Sequence, residues 1–241
     1  MLKRLMSRGR TNASFCTLAI HKPYRQRAKL LVADTPGVPW IVLTDEPEDF
    51  DGLQVQAIRH EPTGPMAVDF LLKLRPPGTG QPAYHDKRFV LQAALKEFDT
   101  AIFVDADTRI RAVPRLRRFG PGIAVTQAVR ASIAEHLGRW GTHRKPIFEE
   151  LAVHLTGTAE TLKSARWCSE ALFAITKDGN ESRFFEAWAR AAEFLQNREL
   201  FSGEGGAIGL AAACAGWTVD YASLTKLAAS THHEGRGPKS A

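Results

Sequence analysis

Short, almost uninterrupted apolar runs, SFCTLAI from Ser14 to Ile20, WIVL from Trp40 to Leu43 and AIFV from Ala101 to Val104, alternate with stretches patterned as helices. A strand that is apolar on both faces must be covered on both faces, and chains that alternate such strands with helices bury them in a layered α/β sheet. Tyr24 to Ala33 reads as the first helix, broken by Pro36, Gly37 and Pro39, and Gln54 to Ile58 as a further strand. Phe89, Val90, Ala93, Ala94 and Phe98 recur at helical spacing and predict a helix from Asp86 to Phe98. Further on, Ile123 to Val129 and Trp167 to Thr176 read as strands, with a polar helical region between them through about Lys163. Ser182 to Gln196 and Gly205 to Ala215 are predicted helices, and Thr218 to Leu224 and Leu227 to Thr231 are predicted strand-like. Gly64 to Pro82, rich in Pro and Gly around Met66 to Leu74, is expected to be loops flanking a strand or single helical turn.

Composition narrows the class. At 241 residues folding buries roughly 70% of the unfolded chain's surface, so one domain needs neither disulfide nor metal to support its core. A 44% apolar content argues against disorder. Nowhere does an apolar run reach the ~18 residues of a membrane-spanning helix, and the basic start MLKRLMSRGR lacks the apolar segment of a secretory signal. The expectation is therefore a soluble, cytoplasmic protein. Cys16, Cys168 and Cys214 have no paired spacing and read as reduced thiols. The net charge of +6 favours anionic partners in general.

The sharpest chemical signal is FVDADTRI, where Asp105 and Asp107 follow a buried apolar strand. Ligands of α/β sheets bind beyond the carboxyl ends of the strands, so the position is itself informative. In extended geometry residues i and i+2 point the same way, and the two carboxylates are expected to converge on one cation. Mg²⁺ or Mn²⁺ takes few protein carboxylates and completes its shell with water and phosphate oxygens, which suits a metal-diphosphate site.

These residues resemble glycosyltransferases of the GT-A fold, a Rossmann-like mixed sheet flanked by helices whose DxD motif holds a metal-bound nucleotide sugar. The layout is most similar to the retaining galactosyltransferase and glycogenin-like group. The resemblance implies one GT-A domain over residues 1–241, with an acceptor-side helical insertion around 131–163. It further implies that Asp107 binds Mn²⁺ or Mg²⁺ directly and acts in catalysis, while Asp105 shares the metal and touches the ribose. Arg88 matches the family's arginine on the helix before the DxD strand, and Lys87 or Arg88 assists the departing diphosphate. Tyr24 resembles the base-stacking aromatic. The asparagine and aspartate that the family carries near the end of strand one are replaced here by His21, Lys22 and Pro23.

The tail holds His232, Gly235 and Lys239, which resemble the family's H-x-x-G-x-x-K segment with the lysine one position late. His232 and His233 are alternative metal ligands, and Lys239 would supply charge to the diphosphate. Glu204, in LFSGEGGAIGL, lies at a predicted helix start where the family commonly places an acid. It would position the acceptor hydroxyl, act as general base, or stabilise positive charge developing on the sugar. Glu170 is a second candidate for sugar contact.

The implied reaction moves a sugar from a nucleotide-diphosphate donor, UDP-sugar first, to a glycan or other hydroxyl acceptor. Arg109, Arg111, Arg115, Arg117 and Arg118 form a basic stretch that would attract phosphorylated glycan or anionic lipid, giving peripheral contact with the inner face of a membrane. Aromatic residues are not interleaved there, so nucleic acid is not an expected partner. His136, His143 and His154 lack metal-ligand spacing. A strand followed by D-x-D-T is also similar to the first motif of haloacid-dehalogenase-like phosphatases, although there it normally opens the fold. A non-catalytic nucleotide-sugar-binding domain is the third alternative.

Overall fold

The computed structural model describes residues 12–63, 83–113, 119–126, 130–198, 200 and 203–233. In chain order the elements are β1 (Ala13–Ala19), α1 (Lys22–Ala33), β2 (Trp40–Thr44), β3 (Val55–Arg59), α2 (Lys87–Glu97), β4 (Thr100–Val104), β5 (Thr108–Ile110) and β6 (Gly122–Val125). They continue with α3 (Ile133–Trp140), α4 (Lys145–Thr156), α5 (Thr161–Ser164), β7 (Leu172–Thr176), α6 (Glu181–Gln196), α7 (Glu204–Cys214), α8 (Thr225–Ala229) and β8 (Thr231–His233). Six strands form one mixed sheet in the order β3-β2-β1-β4-β7-β6, with β3, β2, β1 and β4 parallel and β7 running against both its neighbours. The expected layered α/β sheet flanked by helices is therefore present.

Both faces of the sheet are buried, which is why its strands read as continuous apolar runs. Phe15, Val42, Ile102 and Val104 belong to the core shared with α1 and with Leu224 and Leu227. Their alternating neighbours Cys16, Ile41, Leu43 and Phe103 belong to the core shared with α2, α6 and α7. Each fully buried side chain of this size contributes about 1.5–3 kcal/mol. Cys16 and Cys168 are free thiols in this interior, and burial pushes both well above the ordinary thiol value. Among the described residues no helix is long and apolar enough to cross a membrane.

Three sequence expectations change. The strand anticipated from Trp167 begins only at Leu172, because the preceding backbone leaves the sheet: Trp167 N–H donates to Ala131 O (3.0 Å) and Cys168 N–H to Gly205 O (3.1 Å). The stretch Thr218 to Leu224 makes a single parallel bridge, Asp220 with Ala124, instead of a strand. Leu227 to Thr231 is mostly helix, since α8 closes on itself before β8 pairs antiparallel with β5. Of the polar region 131–163, α3 is started by a capping box in which Ser132 and Glu135 exchange side-chain and backbone bonds (2.7 and 3.1 Å). The segment 64–82, Arg115, Arg117, Arg118 and Lys239 lie outside the described residues.

A buried polar cluster leads into α2. Asp86 accepts from His60 Nε2 (2.8 Å), Thr63 N–H (2.9 Å) and Thr63 Oγ1 (2.5 Å). Beside it, His85 Nδ1 accepts from the Trp188 indole (2.9 Å), which fixes the ring as the neutral tautomer with its proton on Nε2. Burial first, then the charges of Arg88 and Lys87, push this imidazole down to about 4. A depressed folded value means that the stability is complete above the ordinary pKa near 6.5 and is lost as pH falls toward 4, to the extent of roughly 3 kcal/mol. In His85→Asn the amide oxygen keeps the tryptophan bond without titrating. Urea unfolding at pH 7 and pH 4.5 is expected to show a much smaller acid loss in this variant than in the wild type; equal losses would remove His85 as the cause.

Candidate active site

The strand order reverses between β1 and β4, since the chain first adds β2 and β3 on one side of β1 and then crosses to the other. Crevices beyond the carboxyl ends of strands at such a reversal are the usual ligand sites of α/β sheets. His21 and Tyr24 follow β1, and Asp105 and Asp107 follow β4, so the two segments face this point from either side. Burial pushes the Tyr24 phenol above its ordinary value, and the charges of Asp107 and Asp105 push further while Arg27 and Lys87 oppose them. Tyr24 is thus within electrostatic reach of both acids.

The backbone that carries the acids is not the extended run that was expected. Thr108 N–H donates to Asp105 O (2.9 Å), so Asp105 to Thr108 form a hydrogen-bonded turn and not an extended run. That turn reverses the chain into β5. The Asp105 N–H donates to Ala171 O (2.9 Å), which ties the turn to the segment entering β7.

Lys87, the first residue of α2, occupies the space behind the turn. Its side chain is 7% exposed, and its ammonium lies 2.9 Å from Asp105 Oδ1 and 3.2 Å from Glu204 Oε2 and donates to Glu170 O at 3.1 Å. Those three contacts use all three ammonium protons. Burial alone would lower the Lys87 pKa, but Asp105 and Glu204 hold it well above the ordinary lysine value, so the charge is permanent. A cation at a helix N-terminus opposes the helix dipole, and here the carboxylates offset that cost.

Glu204, the first residue of α7, is buried, and one of its oxygens, Oε1, has no hydrogen-bond partner among the described residues. Burial raises its pKa to about 8, with Glu170 and Asp105 adding and Lys87 opposing. Its position follows from Gly205: a Cβ there would lie 2.2 Å from Cys168 O, 2.6 Å from Trp167 Nε1 and 2.8 Å from Glu170 Oε2. Only glycine lets the start of α7 rest on this segment, and the contact brings Glu170 and Glu204 to the same ammonium.

Arg88 is placed elsewhere. Its guanidinium donates to His85 O (2.8 Å), lies over the Phe89 ring (4.1 Å) and stands 3.9 Å from Asp86, so the cation touching Asp105 is its neighbour Lys87. His232 sits on β8 directly opposite Arg109, and Arg109 grips Asp34 through two bonds of 2.6 Å. Arg109 is thus a clamp between β5 and the end of α1. His233 pairs with Thr108 in the same ribbon, immediately after the acidic turn. Among the described residues His232 does not join Asp105 and Asp107 in a three-ligand group that could hold a metal ion.

Sequence reasoning missed the backbone of His21, whose φ of 68° places a non-glycine residue in a strained region at the end of β1. Such a conformation costs about 1–3 kcal/mol and persists only where the surroundings enforce it. Here the His21 N–H donates to both Asp45 oxygens (3.2 and 3.1 Å), and Asp45 is itself held by buried Arg25 at 2.8 Å. The one local signal was Pro23, two residues after His21, which suits the first turn of α1. No protein-family model matches the chain, and no curated protein matches its sequence.

Proposed function

We propose that this chain is a metal-dependent glycosyltransferase of the GT-A type, moving a sugar from a nucleotide-diphosphate donor, with UDP-sugars the first choice, to a hydroxyl acceptor. The observation that carries this reading is the Asp105–Asp107 turn at the carboxyl end of β4, facing Tyr24 across the strand reversal and backed by the buried Lys87–Glu204 pair. The donor set suits the ion. Mg²⁺ and Mn²⁺ are held by one or two carboxylates with phosphate oxygens completing the shell, and Asp107 with the outer oxygen of Asp105 supplies that number. When bound, the ion stabilises negative charge on the departing diphosphate.

The chain's own residues do the rest. Lys87 fixes Asp105 and brings a permanent positive charge to the diphosphate side of the site. Tyr24 offers a flat face for the base. Transfer forms a bond from the acceptor oxygen to the anomeric carbon and breaks the bond from that carbon to the diphosphate oxygen, which leaves with the electron pair. Glu204, poised at about 8, is the group assigned to take the hydroxyl proton, since a base is most effective with a pKa near the working pH.

Thermal melting with nucleotide sugars, with and without Mn²⁺, tests the reading. A ligand at one hundred times its Kd adds about 2.7 kcal/mol of apparent stability. UDP with Mn²⁺ is expected to raise the melting temperature of the wild type and to do nothing for Asp107→Ala, each compared with its own melting without ligand. The same variant is expected to lose metal-stimulated donor hydrolysis. No shift with any nucleotide sugar, or metal-dependent release of phosphate from an aryl phosphate, would overturn the proposal in favour of phosphatase chemistry. Tight binding with no turnover over long incubation would reduce it to a binding domain.

A further inference from the structure

Beside the acidic site, α3 and the start of α4 bring together an aromatic stack and an arginine that the reaction above does not use. His136 stacks on Trp167 (ring centroids 3.6 Å apart, planes 13° from parallel) and lies 5.1 Å from Trp140. The indole of Trp140 is 59% exposed, which is unusual for so large an apolar surface, and the Arg139 guanidinium lies 5.8 Å over it. Arg144 donates to Trp140 O (3.2 Å). On its other side, Arg144 Nη1 is 3.7 Å from the point a Cβ would occupy on Gly203, the residue before Glu204.

Two polar atoms of this group are buried with no hydrogen-bond partner among the described residues: His136 Nδ1 and Arg144 Nε. Buried donors and acceptors are nearly always satisfied, so these two atoms leave hydrogen-bonding capacity here that the described protein groups do not use, although Arg144 Nε itself faces Gly141. The charge around them is positive. Arg139 and Arg144 both contact Trp140, and burial with the Arg144 charge lowers the His136 pKa. Arg144 itself is lowered by burial, with Glu170 in opposition. Trp167 continues the group inward, because its Nε1 and Glu170 Oε2 both meet the start of α7 at Gly205.

Resting on the glycosyltransferase reading, we infer that Trp140, His136, Trp167 and Arg144 form the acceptor subsite, and that the acceptor is a sugar ring carrying an anionic group, a phosphate ester or a carboxylate. The ring lies on the Trp140 indole. Its anion takes the Nη1 end of the Arg144 guanidinium, since the Nε and Nη2 edge is packed on Gly141 and Trp140 O, and its free hydroxyl reaches toward Glu170 and Glu204.

Tryptophan fluorescence titrations with glucose, glucose 6-phosphate and glucuronate test this directly on the full chain. At least one anionic probe is expected to bind the wild type about tenfold or more tightly than glucose, the worth of one charge-assisted pair. The phosphate and carboxylate arms identify which anion is preferred. Arg144→Ala is expected to erase the preference, Arg144→Lys to restore part of it, and Trp140→Ala to weaken binding of all three probes, with melting temperatures recorded for each variant. An absence of saturable binding by either anionic probe at tens of millimolar, equal affinity for glucose, or a preference that survives in Arg144→Ala overturns the inference. Asp107→Ala separates the two claims: it is expected to lose the UDP and Mn²⁺ shift and to keep the anionic preference. A wild type that shows the preference without any nucleotide-sugar response overturns the donor reading alone.

Discussion

Lys87→Met is expected to destabilise the protein by about 3–5 kcal/mol near pH 8 and to abolish transfer, because it removes the one cation shared by Asp105, Glu204 and the Glu170 carbonyl. The loss should depend on pH in a defined direction. Glu204 has a folded pKa raised to about 8 from an ordinary 4.5, so the folded state binds an extra proton between these values. Its contribution is most favourable below about pH 4.5 and is lost as pH rises through 8. Lys87 opposes that loss in the wild type, so the gap between wild type and Lys87→Met should widen from pH 5 to pH 9. Glu204→Gln removes the titration while keeping the shape, and the decline in wild-type stability between pH 5 and pH 8 should be smaller in it. Guanidinium unfolding at pH 5, 7 and 9 measures all three proteins. A gap of the same size at every pH would mean that Glu204 is not coupled to Lys87.

Gly209→Ala is expected to cost at least ~3 kcal/mol, about 6–12 °C in melting temperature for a chain of this size. A Cβ on Gly209 would lie 1.9 Å from Arg166 O and 3.3 Å from Ile133 Cδ1, and a backbone carbonyl has no rotamer by which to yield. Gly138, in the middle of α3, meets nothing within 4 Å of the same added atom. Gly138→Ala should therefore stabilise the protein by up to about 1 kcal/mol, the ordinary helix-propensity gain. The pair isolates close packing from propensity, because the same chemical change is made in two helices with opposite expected sign. If both variants melt alike, α7 does not rest on the Arg166 carbonyl as described. Since Gly209 and Gly205 seat the same helix on the segment 166–170, and the Gly205 contact sets where Glu204 and Glu170 meet, Gly209→Ala should lose transfer in parallel with stability.

The strands of the sheet were legible because each is buried on both faces, which leaves a run of apolar residues that little else produces. Thr108 to Ile110 and Thr231 to His233 were not. Each is three residues long, and their pairing depends on two segments far apart in the chain meeting beside the acidic turn. Trp167 to Thr176 misled for a related reason: its first half is as apolar as a strand, but its backbone bonds go to Ala131 and Gly205 instead of to a neighbouring strand.

The order of apolar runs and the acids at the end of β4 were determined by the sequence alone, since burial periodicity and strand-end position are local properties. Which cation serves Asp105 was decided only by the tertiary structure. Arg88 and Lys87 are neighbours at the start of one helix, about 100° apart around its axis. The rotation that packs Val90, Leu91 and Ala94 into the core turns Lys87 inward, toward a glutamate 117 positions away, and leaves Arg88 on His85. The raised pKa of Glu204 has the same origin, because desolvation is set by what the fold stacks around a group and not by its neighbours in the chain.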